Sequence, residues 1–111
     1  MRLRDRILAA DDLASEAVEC PEWGETVTVR GLTLGERREF SRLSSAGDGP
    51  SLEAWLVEQA ALDEAGERLF EPGDAAALSE KSPAVMTRLA QSIVRLSGMV
   101  DDAAEGQAEK N

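Results

Sequence analysis

The sequence predicts a mainly helical α+β domain, in which one N-terminal β-hairpin packs on four to five helices and a disordered acidic tail follows. Two runs of β-favouring residues around a Gly-containing turn predict the hairpin. Helix start signals and 3.6-residue apolar periodicity recur along the rest of the chain. Of the 111 residues, 42% are apolar, which is enough for one modest core. We therefore expect residues 1–100 to form a single compact domain and residues 101–111 to form the tail.

The first predicted element is a short helix over residues 5–14, with Ile7, Leu8 and Leu13 on its apolar side. Basic residues precede this apolar run, as they do in a secretory signal peptide. The run is too short for such a signal, because a signal peptide needs roughly 7–15 apolar residues. We therefore expect a helix here and no signal peptide.

The predicted hairpin joins strands at residues 17–20 and 26–30 through a turn-rich spacer at residues 21–25. Trp23 lies in this spacer. It is expected to fold over one face of the hairpin, because two strands alone are marginally stable without cover. Side chains alternate between the two faces of a strand, so one face of the second strand carries both of its valines, Val27 and Val29.

A charged helix is predicted over residues 34–45. Thr33 and Glu36 form the S/T-x-x-E pattern of a capping box at its start. The apolar stripe is thin, because it contains only Phe40 and Leu43. Such a helix either packs along one edge only or offers its charged face to a partner.

The middle of the chain is expected to supply the centre of the core. A mobile surface loop over residues 44–50 leads into a helix over residues 51–62. Trp55 is the expected core centre, because a buried indole contributes a large apolar area. A tight turn and an extended piece follow over residues 63–70, with Gly66 supplying positive φ. The acidic residues of this turn do not match the spacing of a calcium-binding EF-hand loop.

Two helices complete the prediction. Asp74 is expected to cap a short helix that ends near residue 78 or 80. Ser82 and Pro83 are expected at the N-cap and the first position of the last helix. This helix ends near Gly98 and is the clearest amphipathic segment of the chain. Its apolar residues recur every three or four positions, at Val85, Leu89, Ile93, Leu96 and Val100.

Composition excludes several classes of function. The chain has no histidine and one cysteine, Cys20, which rules out Ser–His and Cys–His nucleophile pairs, a CxxC zinc site and an intrachain disulfide. The net charge of −10 argues against nucleic-acid binding, because phosphate contacts need a surplus of lysine and arginine. No apolar run reaches the roughly 20 residues that span a membrane. We therefore expect a cytoplasmic protein that is not an enzyme and binds no cofactor or metal.

Candidate partner-binding residues form two groups on the predicted helices. The first group is the one concentrated basic patch, Arg37, Arg38 and Arg42. These arginines pair with the interleaved glutamates of their own helix, or they contact an acidic partner surface or the acidic C-terminal half of another subunit. The second group lies along the apolar side of the last helix: Met86, Leu89, Ile93 and Met99. These side chains either form part of a binding groove, where methionine adapts to varied surfaces, or belong to the domain core.

Four features follow one another along residues 16–98: a hairpin with Pro-Glu-Trp-Gly at its turn, a charged helix containing Phe40, a helix containing Trp55, and a D-x-x-G-x-x-L-F pattern at residues 63–70. In this order they resemble the tail assembly chaperones of long-tailed bacteriophages and prophages. The resemblance implies a non-catalytic protein. Such a protein coats the long helical tape measure protein and keeps its apolar faces soluble until tail tube subunits polymerise around it.

The resemblance also implies particular partners. Besides the tape measure protein, members of the family recruit the major tail tube protein through a longer form made by ribosomal frameshifting. Coating a long rod requires many copies, so we expect a homo-oligomer in the cytoplasm of a bacterial host. The acidic tail suits the short form of such a chaperone.

Two other classes of function remain open. One is a small acidic secretion-type chaperone or adaptor that dimerises and binds one protein partner. The other is an acidic nucleic-acid mimic or antitoxin-like inhibitor, which the charge favours and the apolar pattern does not. The gene next to this one discriminates among the three, because it would encode a tape measure protein, an effector or a toxin respectively.

Overall fold

A three-stranded antiparallel sheet and five helices make up the described part of the chain and confirm the mainly helical α+β class. The computed structural model describes residues 2–47 and 51–99. The elements in chain order are α1 (Leu3–Ala9), β1 (Ser15–Cys20), β2 (Glu25–Arg30), α2 (Leu34–Ala46), α3 (Leu52–Ala60), β3 (Ala61–Leu62), α4 (Ala75–Leu78) and α5 (Pro83–Leu96). The predicted acidic tail at residues 101–111 and the end of the predicted loop at residues 48–50 lie outside the described residues.

The hairpin of β1 and β2 forms where the alternating pattern predicts it. Ser15 pairs with Arg30 at the open end, and Cys20 pairs with Glu25 at the turn. The backbone N–H of Trp23 donates to the carbonyl of Cys20 at 2.9 Å and closes that turn. Both valines of β2 are buried on the face that they share, and the half-buried Trp23 ring packs against the core.

A third strand, β3, corrects the predicted helix over residues 51–62. Helix α3 ends at Ala60, and the next two residues pair with β2 in the order β1–β2–β3. Ala61 lies opposite Val29, and Leu62 lies opposite Thr28. The sheet edge satisfies the backbone groups of these two residues, so the helix stops although its apolar pattern continues.

The N-terminal helix is shorter than predicted. It ends at Ala9, and residues 10–14 contain no helix. The carbonyl of Ala14 accepts a hydrogen bond from the backbone N–H of Gly31 at 2.9 Å and extends the edge of the hairpin. No residue of α1 is buried, so the expected apolar side of this helix faces outward.

The core lies between the inner face of the sheet and helices α3 and α5. The largest fully buried side chains come from all three layers: Leu89, Ile93, Val29, Val57, Val85 and Cys20. Helix α5 packs on both α3 and the hairpin, because its apolar stripe is wide enough to cover both. The close approach requires a glycine at position 31, where a Cβ atom would stand 2.8 Å from the Leu96 carbonyl oxygen.

Trp55 is not the centre of the core, contrary to the sequence expectation. It is half-buried on the side of α3 that faces α2, where its ring centroid lies 6.3 Å from that of Phe40. Helix α3 is buried on most of its circumference, so small and branched residues such as Val57 fill the interior. A large indole fits at the seam between two helices rather than between a helix and a closely packed sheet.

The helix caps agree with the sequence in part. The capping box of Thr33 and Glu36 forms as predicted, but α2 continues to Ala46, so residues 44–46 belong to the helix rather than to the loop. Pro83 occupies the first turn of α5, whereas the Ser82 side chain makes no cap bond. The Asp74 carboxylate does not cap α4 and accepts instead from the backbone N–H of a preceding residue.

Candidate interaction surfaces

Exposed apolar side chains identify the surfaces that can bind another chain. Five large apolar residues are exposed in the described part of the molecule: Leu3 (62%), Ile7 (61%), Leu8 (68%), Leu34 (73%) and Leu69 (40%). Three of them lie on α1, one starts α2, and one lines a cavity beside the sheet. Single exposed apolar residues are ordinary, but grouped ones mark binding surfaces.

The cavity beside the sheet, which we call the acidic groove, has a volume of about 530 Å³. It opens between β2, β3 and the segment that follows β3. Its apolar lining comes from four large side chains, Trp23, Leu62, Leu69 and Phe70. Three acidic residues also line it, Glu25, Asp63 and Glu64. Glu25 and Glu64 are exposed and form no ion pair with another described residue. The groove therefore combines apolar walls with uncompensated negative charge.

A tight turn builds the wall of the acidic groove. The carboxylate of Asp63 accepts from the backbone N–H groups of Ala65 and Glu67, both at 2.9 Å. Gly66 supplies the positive φ of 81° that the turn requires, as the sequence predicts. Beyond the turn, the N–H of Leu69 donates to the Ala61 carbonyl at 2.9 Å. These bonds return the chain alongside β3 and place Leu69 at the groove.

The buried carboxylate of Glu58 anchors the rest of this segment from inside the molecule, and sequence reasoning missed it. The Glu58 residue retains 7% of its surface. Oε1 accepts from the backbone N–H of Gly73 at 3.1 Å and of Ala75 at 2.8 Å. Oε2 accepts from Gln59 and, at 3.5 Å, from Arg68. Glu58 thereby replaces Asp74 as the side chain that satisfies the start of α4.

The start of α2 is fixed to the sheet by a two-point ion pair. Arg30 donates to both carboxylate oxygens of Glu36, at 2.8 and 3.1 Å, and to the carbonyl of Gln59 at 3.0 Å. Partial burial alone would raise the pKa of Glu36. The hydrogen bonds from Arg30 and Thr33 outweigh that effect and lower the pKa below its usual value. The carboxylate is therefore held ionised where the helix begins.

The remainder of α2 contacts the rest of the molecule along a narrow strip, because none of its 13 residues is buried. Phe40 and Leu43 lie on the half-buried inner side. The α-helical period places Leu34, Arg37, Arg38 and Arg42 around the opposite side, and we call these four residues the α2 surface. Arg42 pairs with Glu39, and this pair lowers the pKa of the Glu39 carboxyl. Arg37 and Arg38 are exposed and form no ion pair with another described residue.

The structure places the predicted partner-binding residues in two different settings. The three arginines lie on the α2 surface. Met86, Leu89 and Ile93 are buried in the core, where they hold α5 against α3 and the sheet. Met99 is half-buried just beyond α5. The Leu32 N–H donates to the Ser97 hydroxyl at 2.8 Å, so the end of α5, and with it Met99, lies beside the start of α2.

Two further ion pairs fix α5 to the hairpin. Arg88 donates to both oxygens of Glu22, at 2.9 and 2.8 Å, and the hydrogen bond lowers the pKa of that carboxyl to about 2. Arg95 donates to the Glu16 carboxylate. The pKa of Glu16 is lowered chiefly by a hydrogen bond from Ser92 and then by Arg95, against an opposing effect of burial. These carboxylates are structural groups, because each is occupied by a partner within the fold.

The Cys20 thiol and the buried polar groups also serve the fold. Burial raises the pKa of the Cys20 thiol, whose sulfur lies fully inside the core.

Every buried side-chain nitrogen and oxygen in residues 2–47 and 51–99 has a hydrogen-bond partner. Within those same ranges, no three acidic or cysteine side chains converge as a metal site would require. No helix in the described ranges has the length and apolarity to span a membrane.

Comparison with known proteins relates the fold to one solved structure. No protein-family model matches the chain, and no curated protein matches it. The fold is similar to that of the tail assembly chaperone of bacteriophage HK97, with a TM-score of 0.64. The similarity covers 84% of this chain and 91% of that one, at 17% sequence identity. At this identity the likeness establishes a shared fold.

Proposed function

We propose that this chain is a tail assembly chaperone of a long-tailed phage or prophage, which binds and solubilises the tape measure protein during tail assembly. The observation that carries the proposal is the fold, which matches a solved tail assembly chaperone over nearly the whole length of both chains. The carboxylates that are buried or paired stabilise the fold, and this use of the acidic side chains agrees with a binding role.

The client surface that we assign is the α2 surface. A 13-residue helix without a buried residue contributes little to the core, and its exposed face is therefore free to bind a client. Leu34 is the most exposed large apolar side chain among the described residues. Arg37 and Arg38 flank it within one turn and have no ion-pair partner in the described ranges. A client helix with acidic residues beside an apolar stripe complements this arrangement.

The apolar candidates of α5 contribute to this proposal in different ways. Met99 lies near the start of α2 and extends the client surface there. The other three candidates, Met86, Leu89 and Ile93, act indirectly, because they hold α5 in place. The end of α5 contacts the segment that precedes α2 through Ser97. We further propose that many copies coat one client in the cytoplasm of the bacterial host, and that a longer frameshifted form recruits the major tail tube protein.

Co-expression with the tape measure protein encoded beside this gene tests the proposal. The soluble fraction of the tape measure protein is expected to rise when this chain is present. The variant Arg37→Glu/Arg38→Glu is expected to lose that effect, and the matched control Arg37→Lys/Arg38→Lys is expected to keep it. A tape measure protein that is equally soluble alone contradicts the chaperone role. Equal activity of the Glu and Lys variants contradicts only the assignment of the α2 surface. Capture of an unrelated effector instead favours the secretion-type adaptor.

A further inference from the structure

We propose that helix α1 of one copy docks in the acidic groove of a second copy, so that copies associate head to tail. The inference rests on the self-association proposed above and assigns the two surfaces that produce it. Three observations carry it: the outward apolar face of α1, its positive charge in an acidic chain, and a groove of matching size and opposite charge.

Helix α1 exposes a large apolar surface for a helix of seven residues. Leu3 and Ile7 are four residues apart and form one stripe, and Leu8 lies about 100° further around the helix, next to Arg4. All three side chains keep more than half of their surface exposed. The residues that follow, up to residue 14, contain no helix or strand, so α1 projects from the hairpin as an arm.

The arm is also a basic segment in a protein of net charge −10. Residues 2–9 hold three arginines against one aspartate. On the helix, Arg4 and Arg6 lie on either side of the stripe formed by Leu3 and Ile7. Asp5 lies on the other side of the helix, where its carboxylate pairs with Arg4 at 3.2 Å and with Arg2 at 3.6 Å. The arm therefore presents apolar residues between two cationic ones.

The acidic groove is the complement of this pattern. Its apolar lining receives an apolar stripe, and Glu25 and Glu64 at its edges are available for ion pairs. Its volume of about 530 Å³ exceeds that of two or three aliphatic side chains. Apolar contact would supply the affinity, and the charges would select the register of the arm.

The position of the arm favours a second copy as the source. The linker to α1 leaves the sheet at the β1 edge, where Ser15 pairs with Arg30. The groove opens at the opposite edge, beside β3 and towards the turn that contains Trp23. Because the arm and the groove are different surfaces, each copy can donate one arm and receive another. Such a contact generates rings or open filaments when each arm passes to the next copy, and a two-fold dimer when two copies exchange their arms.

Charge reversal tests the contact in the full-length protein, with mass measured by sedimentation over a concentration series. We expect the wild type to exceed the monomer mass of 11.9 kDa increasingly with concentration. Arg4→Glu/Arg6→Glu and Glu25→Arg/Glu64→Arg are each expected to weaken association on the order of tenfold. Combining all four substitutions in one chain is expected to restore it, because the charges are then exchanged. Lys81→Glu reverses a charge at an exposed residue outside the arm, the groove and the α2 surface, and it is expected to have no effect on association.

Disulfide trapping tests the same contact independently of charge. Mixing the Ile7→Cys and Leu69→Cys variants is expected to give a covalent dimer under mild oxidation, whereas mixing Ile7→Cys with Leu34→Cys is not. Cys20 is fully buried and does not interfere. A wild type that stays monomeric overturns the inference together with self-association. Association that survives every arm and groove variant overturns the inference alone. A cross-link that forms only when both cysteines are in one chain shows that the arm folds back on its own groove, which also overturns it. Client solubilisation, measured separately by co-expression, distinguishes these results from failure of the chaperone role.

Discussion

Replacement of Glu58 by alanine is the sharpest test of how the acidic groove is built. The substitution removes the acceptor of two backbone N–H groups, on Gly73 and Ala75. The Ala75 N–H is buried and cannot recover a partner from water, whereas Gly73 is exposed and can. A hydrogen bond to a charged acceptor is worth about 1.5–3 kcal/mol, and the half-exposed Arg68 pair adds less than about 1 kcal/mol.

We therefore expect Glu58→Ala to lower the free energy of unfolding by about 2–4 kcal/mol, or the melting temperature by roughly 10–30 °C. Glu58→Gln keeps one oxygen as the acceptor of the two backbone N–H groups but puts an amide NH2 where Oε2 accepts from Gln59 and Arg68, so it should cost about 1–2 kcal/mol. Urea unfolding followed by tryptophan fluorescence measures both, because Trp23 packs beside the groove. Glu80→Ala, an exposed carboxylate near the end of α4, is the control. A Glu58→Ala variant as stable as this control would refute the anchoring role.

Three further predictions concern the core and its ion pairs. In urea unfolding, Leu89→Ala is expected to cost about 3–5 kcal/mol and Trp55→Ala only about 1–2 kcal/mol, because only the leucine is fully buried. The reverse order would show that Trp55 is the centre of the core. Gly31→Ala is expected to cost about 1–3 kcal/mol by thermal melting, because its Cβ would stand 2.8 Å from a backbone oxygen of α5. An unchanged melting temperature would show that the helix shifts freely. The Glu22 carboxyl pairs with Arg88, which lowers its pKa from 4.5 to about 2, so its stabilising contribution is complete above pH 4.5 and declines as the pH falls towards 2. The difference in unfolding free energy between wild type and Glu22→Gln should therefore shrink over that pH range. A constant difference would contradict the pairing.

The sequence is sufficient to predict those parts of the fold that depend on local periodicity. The hairpin, the capping box at Thr33 and the amphipathic helix α5 each follow from residues close together in the chain, and each is present. Strand β3 does not follow in this way. Ala61 and Leu62 continue the apolar pattern of the preceding helix, and only their pairing with β2, some 30 residues earlier, makes them extended.

Glu58 shows the same limit for polar residues. A glutamate in a helix is usually exposed, and its partners lie 10 to 17 residues further along the chain. The only local signal is that apolar residues surround it, at Val57, Ala60 and Ala61. Nothing in its immediate sequence identifies which backbone groups it satisfies.

Core and interface residues cannot be separated by periodicity, because both present an apolar stripe on a helix. The predicted binding candidates of α5 illustrate this ambiguity, since Leu89 and Ile93 are central to the core. The arginines of α2 are different. Charge and a thin apolar stripe predict an exposed helix face, and the structure places Arg37 and Arg38 on one. Sequence analysis predicts an apolar side on the N-terminal helix but does not predict whether that side is buried, and the structure leaves it exposed.

Dilution of the denatured tape measure protein into buffer, followed by light scattering, tests the central claim most directly. If this chain binds and shields that protein, scattering should fall in proportion to the amount of chaperone added and reach a plateau at a fixed molar ratio. The Arg37→Glu/Arg38→Glu variant should leave scattering high. Scattering that is the same with wild-type chain, with the variant and with neither would contradict the account.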